Sequence, residues 1–321
     1  MPEINGQPTN HSPILVTGAH RTGTTWVGKM LAASPSTAYI SEPLNVWHRP
    51  GVLRAPVQHW YTYICSENEA QYLPAFQQTL RFRYHLLAEI LSLRSLKDAG
   101  RLGRDASIFL RGWLRRQRPL LKDPFAVFSA PWFASRLGCR VVITVRHPAA
   151  FASSLKRLAW PFDFSHLLAQ PLLMRDWLEP YRDEMIRMKR VQGAVTGGDI
   201  IEQASLLWRV VYQAVAQYCQ GSTQYQIVRH EDLSLEPVQG FQQLYASLGL
   251  EFTSKIKDII LSASSSENPG ELSRRSVHAV RLDSRANLHN WKRRLTRDEI
   301  ERVRRLTEDT AALFYPEIGW E

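Results

Sequence analysis

The chain has 321 residues, and 40 Lys and Arg stand against 30 Asp and Glu for a formal charge of +10. Hydrophobic residues make up 44% and charged residues 22%, which excludes a disordered chain, and no run approaches the roughly 18 apolar residues of a membrane helix. Met1 to Asn10 is polar and carries Glu3, without the basic-then-apolar layout of a secretory signal, and the three cysteines lack metal-ligand spacing; a cytoplasmic setting and no metal are expected.

Ile14-Leu15-Val16 is a short apolar strand ending at Gly18, and Thr24 to Ala33 reads as a helix closed by Ser34-Pro35. Ala38-Tyr39-Ile40 is a second strand, ending before Glu42-Pro43, and residues 46–99 read as a helical insertion. Pro119-Leu120-Leu121 leads through Lys122-Asp123-Pro124 into a helix from Phe125 to Leu137. Arg140 to Val145 is β-branched and uninterrupted, as a buried parallel strand is, and Pro148 suits the first turn of the next helix. A second insertion is expected over 160–198, then a helix from Ile201 to Cys219, a strand from Gln224 to Val228 and a helix from Pro237 to Leu248. Ser262 to Gly270 reads as a loop and Leu295 to Phe314 as a charged amphipathic helix. Alternating strands and helices predict one α/β domain over 1–321, a central mostly parallel sheet flanked by helices and helical insertions.

The positive charge is uneven: between Arg101 and Lys122 seven basic residues face only Asp105. That run reads as a solvated helix face plus a loop. No zinc-finger spacing, RNA-recognition motif or basic zipper accompanies it, so no nucleic-acid partner is expected, although nucleic-acid binding stays an alternative explanation of the charge.

Gly18-Ala19-His20-Arg21-Thr22-Gly23-Thr24-Thr25 joins the first strand to the first helix, the position of a P-loop, where backbone N–H groups and a helix N-terminus hold a phosphate. Its glycines admit the anion, Thr24 and Thr25 add hydroxyl donors, and Arg21 adds a permanent cation. Nucleotide kinases carry a Lys where this chain has Thr24, so the cradle is present without the γ-phosphate lysine; a small-molecule kinase is the alternative enzyme. Trp26 follows, either stacked on a base or part of the core. The loop makes the expected fold a P-loop-like, three-layer one. A second anion site is expected where Arg146 leaves a strand at the sheet's carboxyl edge, with Ser154 eight residues on in the next helix.

The segments Ala19 to Trp26 and Val145-Arg146-His147-Pro148 through Ser154 resemble the two signature motifs of the PAPS-dependent sulfotransferases, closest in pattern to the bacterial and carbohydrate types because Arg21 stands where cytosolic members have Lys. Looser likeness extends to Glu42-Pro43, Lys122-Asp123-Pro124, His230-Glu231-Asp232 and the stretch from Arg285 to Lys292. The resemblance implies transfer of a sulfuryl group from PAPS to a hydroxyl, less readily an amine, with adenosine 3′,5′-bisphosphate leaving. It implies that Arg21, Thr22, Gly23, Thr24 and Thr25 hold the 5′-phosphosulfate and that Arg146, Ser154 and Arg285 hold the 3′-phosphate. Trp26 and His230 would border the adenine, His230 replacing the tyrosine common there.

Charge grows on the leaving oxygen, and Arg21 and the loop amides suit its stabilisation. Glu42, after the second strand, is the expected base, as a Glu in a similar place is in several carbohydrate sulfotransferases; His48 in Trp47-His48-Arg49-Pro50 is the second candidate. Lys122 is expected to reach the sulfuryl oxygens and Asp123 to cap the following helix. The acceptor is expected to be a small molecule or glycan, a sugar hydroxyl before a phenol or lipid, against aromatics such as Trp47, Trp60 and Trp160.

Overall fold

Five short strands pair side by side, all parallel: β1 (Ile14–Thr17), β2 (Thr37–Ser41), β3 (Arg118–Lys122), β4 (Arg140–Val145) and β5 (Tyr225–Arg229), in the order β2-β3-β1-β4-β5. The structure is a computed structural model and describes residues 12–47, 49–192, 199–271 and 279–320. Each strand falls within one residue of the run expected from the sequence. Leu15 sits in register between Leu121 and Val141. Because side chains alternate along a strand, Leu15, Leu121, Val141 and Ile143 face one layer of helices while Ile14, Val16, Leu120 and Val142 face the other. The sheet is the middle of three layers.

Helix α1 (Thr24–Leu31) follows β1, and α2 (Leu73–Leu80), α3 (Leu86–Ser92) and α4 (Leu96–Leu114) lie between β2 and β3. After β3 comes α5 (Ala130–Leu137), and between β4 and β5 come α6 (Pro148–Leu158), α7 (Ser165–Leu168), α8 (Pro171–Leu173), α9 (Arg182–Gln192) and α10 (Ile200–Cys219). The chain then forms α11 (His230–Leu235), α12 (Pro237–Ser247), α13 (Ser254–Ser264), α14 (Ser284–Leu288), α15 (Asn290–Arg294) and α16 (Arg297–Ala312). On one face α10 packs against α6 and α16, with Trp208 and Tyr212 fully buried; on the other α1 packs against α13 beside Phe241 and Tyr245 of α12. No helix among the described residues is long and apolar enough to cross a membrane.

Three boundaries differ from expectation. The helix expected from Phe125 is a 3₁₀ turn (Pro124–Ser129) capped by the Asp123 side chain, and α5 starts afresh around Pro131, whose missing N–H cannot continue a ladder. The first helical insertion runs on through α4 to Leu114, and α13 continues to Ser264, into the stretch expected to be a loop. Thr296 and Glu299 form the reciprocal cap that starts α16.

The strand order fixes where a ligand can sit. β1 lies between β3 and β4, and the chain works out one side of the sheet before crossing to the other, so the crevice opens between the carboxyl ends of β1 and β4. Along that edge from β2 to β5, the chain leaves the sheet at Glu42, Asp123, Gly18, Arg146 and His230. Gly18 leaves β1 with φ +139°, and a Cβ there would stand 2.4 Å from the Thr144 carbonyl oxygen. Gly18→Ala should therefore destabilise the fold by about 2–3 kcal/mol, read as a lower urea midpoint; an unchanged midpoint would show that the turn relaxes around the methyl group.

Candidate active site

The loop from Gly18 to Gly23 is held from behind. Tyr212 Oη accepts the Ala19 N–H (3.3 Å) and donates to the Thr144 carbonyl (2.7 Å), while Tyr61 Oη accepts the His20 N–H (3.3 Å) and lies 2.7 Å from His20 Nδ1. Thr22 is buried, donates to the Ala19 carbonyl (2.6 Å) and lies 2.8 Å from Thr144 Oγ1. Gly23 caps α1 with φ +98°, and the first helical bond runs from Val27 N–H to the Gly23 carbonyl (3.0 Å). The N–H groups of Thr24, Thr25 and Trp26 precede that bond, and no acidic residue stands in this first turn. Burial lowers the His20 pKa to about 4, with Arg21 adding to the effect, so this imidazole is neutral.

Arg21, Glu42 and Tyr61 adopt left-handed backbone, with φ of 70°, 51° and 58°. For residues with a Cβ this costs about 1–2 kcal/mol each. Such strain gathers where the chain must aim a side chain.

The loop opens on a cleft that is open to solvent. Arg21, Arg146, Arg157 and Arg294 line it, and Glu271 is the one acidic residue of that lining among the described residues. Arg21 Nε donates to Ser154 Oγ (3.2 Å), and Arg146 Nη1 donates to the Arg21 carbonyl (3.2 Å). Trp208 Nε1 fixes the Arg146 carbonyl at 2.9 Å, and Arg157 and Arg294 share Glu271 at 3.0 and 2.8 Å. Burial, then the neighbouring Arg146 and Arg157, lower the Arg21 pKa to about 10. Burial also lowers that of Arg146, against the pull of Glu231. Cations destabilise one another here, which an anion in the cleft would relieve.

At the far wall Trp26 stands edge-on to His230 (5.5 Å) and Phe241 (5.3 Å). His230 lies against Gly23, where a Cβ would come within 2.7 Å of its Nδ1. Burial, with Arg146 adding, pushes the His230 pKa well below 6.5. Both its ring nitrogens, Trp26 Nε1 and Arg146 Nε are buried with no hydrogen-bond partner among the described residues. His147, beside Arg146, is a structural cap: its Nδ1 accepts the Ala149 N–H (3.2 Å), so Nε2 donates to the Gly319 carbonyl (3.1 Å). Its ring stacks on Trp291 at 4.9 Å.

On the β2 side of the loop, Lys122 is buried and ion-paired with Glu42, whose Oε2 accepts from Asn45 Nδ2 (2.7 Å). Asp123 is fully buried; Oδ2 accepts the Leu44 N–H (2.6 Å) and Oδ1 the Phe125 N–H (3.0 Å), tying the turn after β2 to the turn after β3.

A family model described as the sulfotransferase family matches residues 13–202, more than half of the chain. The chain belongs to that family. Solved structures similar to this sulfotransferase include the sulfotransferase domain from the curacin biosynthetic pathway (17% identity, TM-score 0.45, 94% of this chain and 97% of that one). Others are a sulfotransferase from Alicyclobacillus acidocaldarius (14%, 0.43, 95% and 94%) and a mouse sulfotransferase complexed with PAP (11%, 0.43, 95% and 85%). No curated protein sequence matches the chain.

Of the residues singled out in the sequence, Arg21, Gly23, Thr24, Thr25, Trp26, Arg146, Ser154 and His230 line this sulfotransferase's cleft together. The two expected anion sites are in contact, since Arg21 bonds Ser154 directly. Thr22 turns away from the cleft because its hydroxyl is spent on the loop itself. Arg285 also lies outside: its guanidinium donates to the Leu235 carbonyl (2.8 Å) and pairs with Glu236 (3.1 Å), and from α14 it is Ser284 and Asn287 that face the cleft. Glu42 and Lys122 pair with each other outside the lining of the cleft, and His48 lies outside the described residues. Sequence reasoning missed Arg157 and Arg294. Arg157 follows Ser154 by three residues on α6, so helical spacing carried the signal; Arg294 took the folded chain to reveal.

Asp123 gives a pH signature. Burial raises its pKa from 3.8 to about 7, against the two N–H bonds that favour its charge. The folded state therefore binds the proton more tightly than the unfolded state between those values, and stability falls as pH rises through that window. The urea midpoint should drop between pH 5 and 7, and Asp123→Asn should flatten that drop while lowering the midpoint at pH 5 through the lost acceptor. An equal slope in the two proteins would show that Asp123 is ionised throughout.

Proposed function

We propose that this sulfotransferase takes its sulfuryl group from PAPS and passes it to a hydroxyl of a carbohydrate or glycan, releasing adenosine 3′,5′-bisphosphate. The observation that carries the reading is the convergence of Arg21, Arg146, Arg157 and Arg294 on one cleft at the N-terminus of α1. A ligand with an anion at each end of a ribose fits that charge. The unpartnered nitrogens of Trp26 and His230 fit a purine, which offers both donors and acceptors; a neutral imidazole supplies one of each.

In this reading the acceptor oxygen forms a bond to sulfur as the bond from sulfur to the phosphate oxygen breaks. Arg21 and the N–H groups of Thr24 and Thr25 take up charge on the departing phosphate. Arg146 and Ser154 hold the 3′-phosphate, with Arg294 and Arg157 completing its surroundings. Glu42 receives the acceptor's proton, oriented by Lys122 and Asn45. Support for a sugar comes from Trp47, which is 78% exposed and lies on the Glu42 turn, its N–H bonded to Asn45 Oδ1 (2.9 Å). An open indole there offers a face to a sugar ring. The reading keeps the cytoplasmic setting expected from the three sparse cysteines.

Calorimetric titration with adenosine 3′,5′-bisphosphate in the absence of Mg²⁺ tests the donor. Wild type should bind in the micromolar range, and Arg146→Ala should lose about 100-fold, the worth of charge-assisted bonds to one phosphate. No binding by wild type, with ATP–Mg²⁺ bound instead, would favour a kinase. For the acceptor step, Glu42→Gln should lower kcat by about 10²–10⁴-fold while leaving the nucleotide affinity unchanged. An unaltered kcat would remove Glu42 from the role of base.

A further inference from the structure

The segment 81–118 holds ten Arg and Lys against three Asp and Glu, so seven of the chain's ten surplus positive charges fall in this stretch. The donor cleft uses none of them. The three acidic residues are spent internally. Glu89 is buried and accepts the Gly51 N–H (2.8 Å), Asp105 is buried in ion pairs with Arg49 and Arg104, and Asp98 accepts the Arg94 N–H (3.1 Å) and the Ser95 hydroxyl (2.9 Å) at the start of α4 and pairs with Arg101. What faces water is cationic.

That same segment folds as the α3–α4 hairpin, with Tyr84 against Phe109 (ring centroids 5.2 Å) and Phe82 against Gly112. Eight of the fifteen large hydrophobic side chains exposed among the described residues lie on it. Leu87 and Leu91 of α3 are 77% and 87% exposed, Leu96 at the turn 93%, and Trp113 near the end of α4 63%. Single exposed leucines need no explanation, but a cluster of this kind on one hairpin marks an interaction surface. Arg94, Lys97, Arg101, Arg111, Arg115 and Arg116 are exposed around it.

Charge decides the occupant. A second copy would bring the same cationic face against itself, which repulsion opposes. Leucines and an indole flanked by long cationic side chains match the boundary between acyl chains and anionic headgroups, where Arg stems lie along apolar surface and their heads meet phosphate. We propose that the α3–α4 hairpin docks the protein on an anionic lipid surface. Arg49 links this hairpin to the acceptor side of the sheet, since its guanidinium bonds both Asp105 of α4 and the carbonyl of Ser41, the residue before Glu42. The proposal does not depend on the donor being PAPS.

The full chain is sedimented with vesicles of phosphatidylcholine alone and with an equimolar mixture of phosphatidylcholine and phosphatidylglycerol. The mixed vesicles should carry the protein down and the neutral ones should not, and raising NaCl to about 0.5 M should cut the bound fraction roughly fivefold or more as the headgroup charge is screened. Leu87→Ser with Leu91→Ser, and separately Arg111→Glu with Arg115→Glu, should each lower partitioning by about tenfold. Nucleotide binding and thermal melting of each variant serve as checks on folding. Should a variant fail to fold, the wild-type comparison of the two vesicle types and the salt response decide alone. No sedimentation with either vesicle, equal sedimentation with both, or folded variants that bind as wild type does would overturn the proposal. So would a concentration-dependent dimer, seen by light scattering and abolished by the leucine changes, without vesicle binding.

Discussion

Like charges held together out of water are the condition that organises this protein. Arg21 and Arg146 touch through a hydrogen bond, each with its pKa lowered by burial and by neighbouring arginines. An arrangement of that kind is stable only where rigid neighbours and a few countercharges hold it. Ser154, Trp208 and Tyr212 provide the rigidity from α6 and α10, and Glu231 and Glu271 the countercharge. An anion entering the cleft would meet parts that are already fixed in place.

Parallel strand order makes this possible without long reaches of side chain. With β1 between β3 and β4, the loop after β1 and the turn after β4 open onto the same crevice. The strands on either side of β1 and β4 then place different side chains on the two flanks. β2 and β3 deliver Glu42, Lys122 and Asp123 on one flank, while β5 delivers His230 on the other. A buried carboxyl at Asp123 joins the two turns of the first flank, so the position of Glu42 is set by hydrogen bonds to backbone rather than by its own ion pair alone.

Much of this could be read from the chain itself, because strands and a phosphate loop have local signatures. Arg140–Val145 is an uninterrupted β-branched run, and Gly18 to Thr25 carries its glycines at a strand–helix junction. What escaped was decided by contacts distant in sequence. Thr22 looks like a phosphate ligand by its place in the loop, yet Thr144, 122 residues on, engages its hydroxyl. Arg285 lies in a stretch that resembles a nucleotide-binding loop, yet the carbonyl of Leu235 and the carboxylate of Glu236 draw it outward. Tyr61 and Tyr212, which hold the loop amides, have no local signature, since a tyrosine in a helix or loop is most often just core.

The left-handed backbone at Arg21 and Glu42 has an evolutionary consequence. Glycine is the residue that these dihedral angles favour, yet at Glu42 it would leave the buried Lys122 ammonium without its carboxylate, a loss larger than the backbone strain it relieves. Selection for heat resistance alone would therefore keep the carboxylate at Glu42, whereas glycine at Arg21 would relieve the backbone and also remove one of several mutually repelling cations. Backbone relief and side-chain pairing thus pull in opposite directions at Glu42, which makes it a poor place to look for a more durable form of this protein.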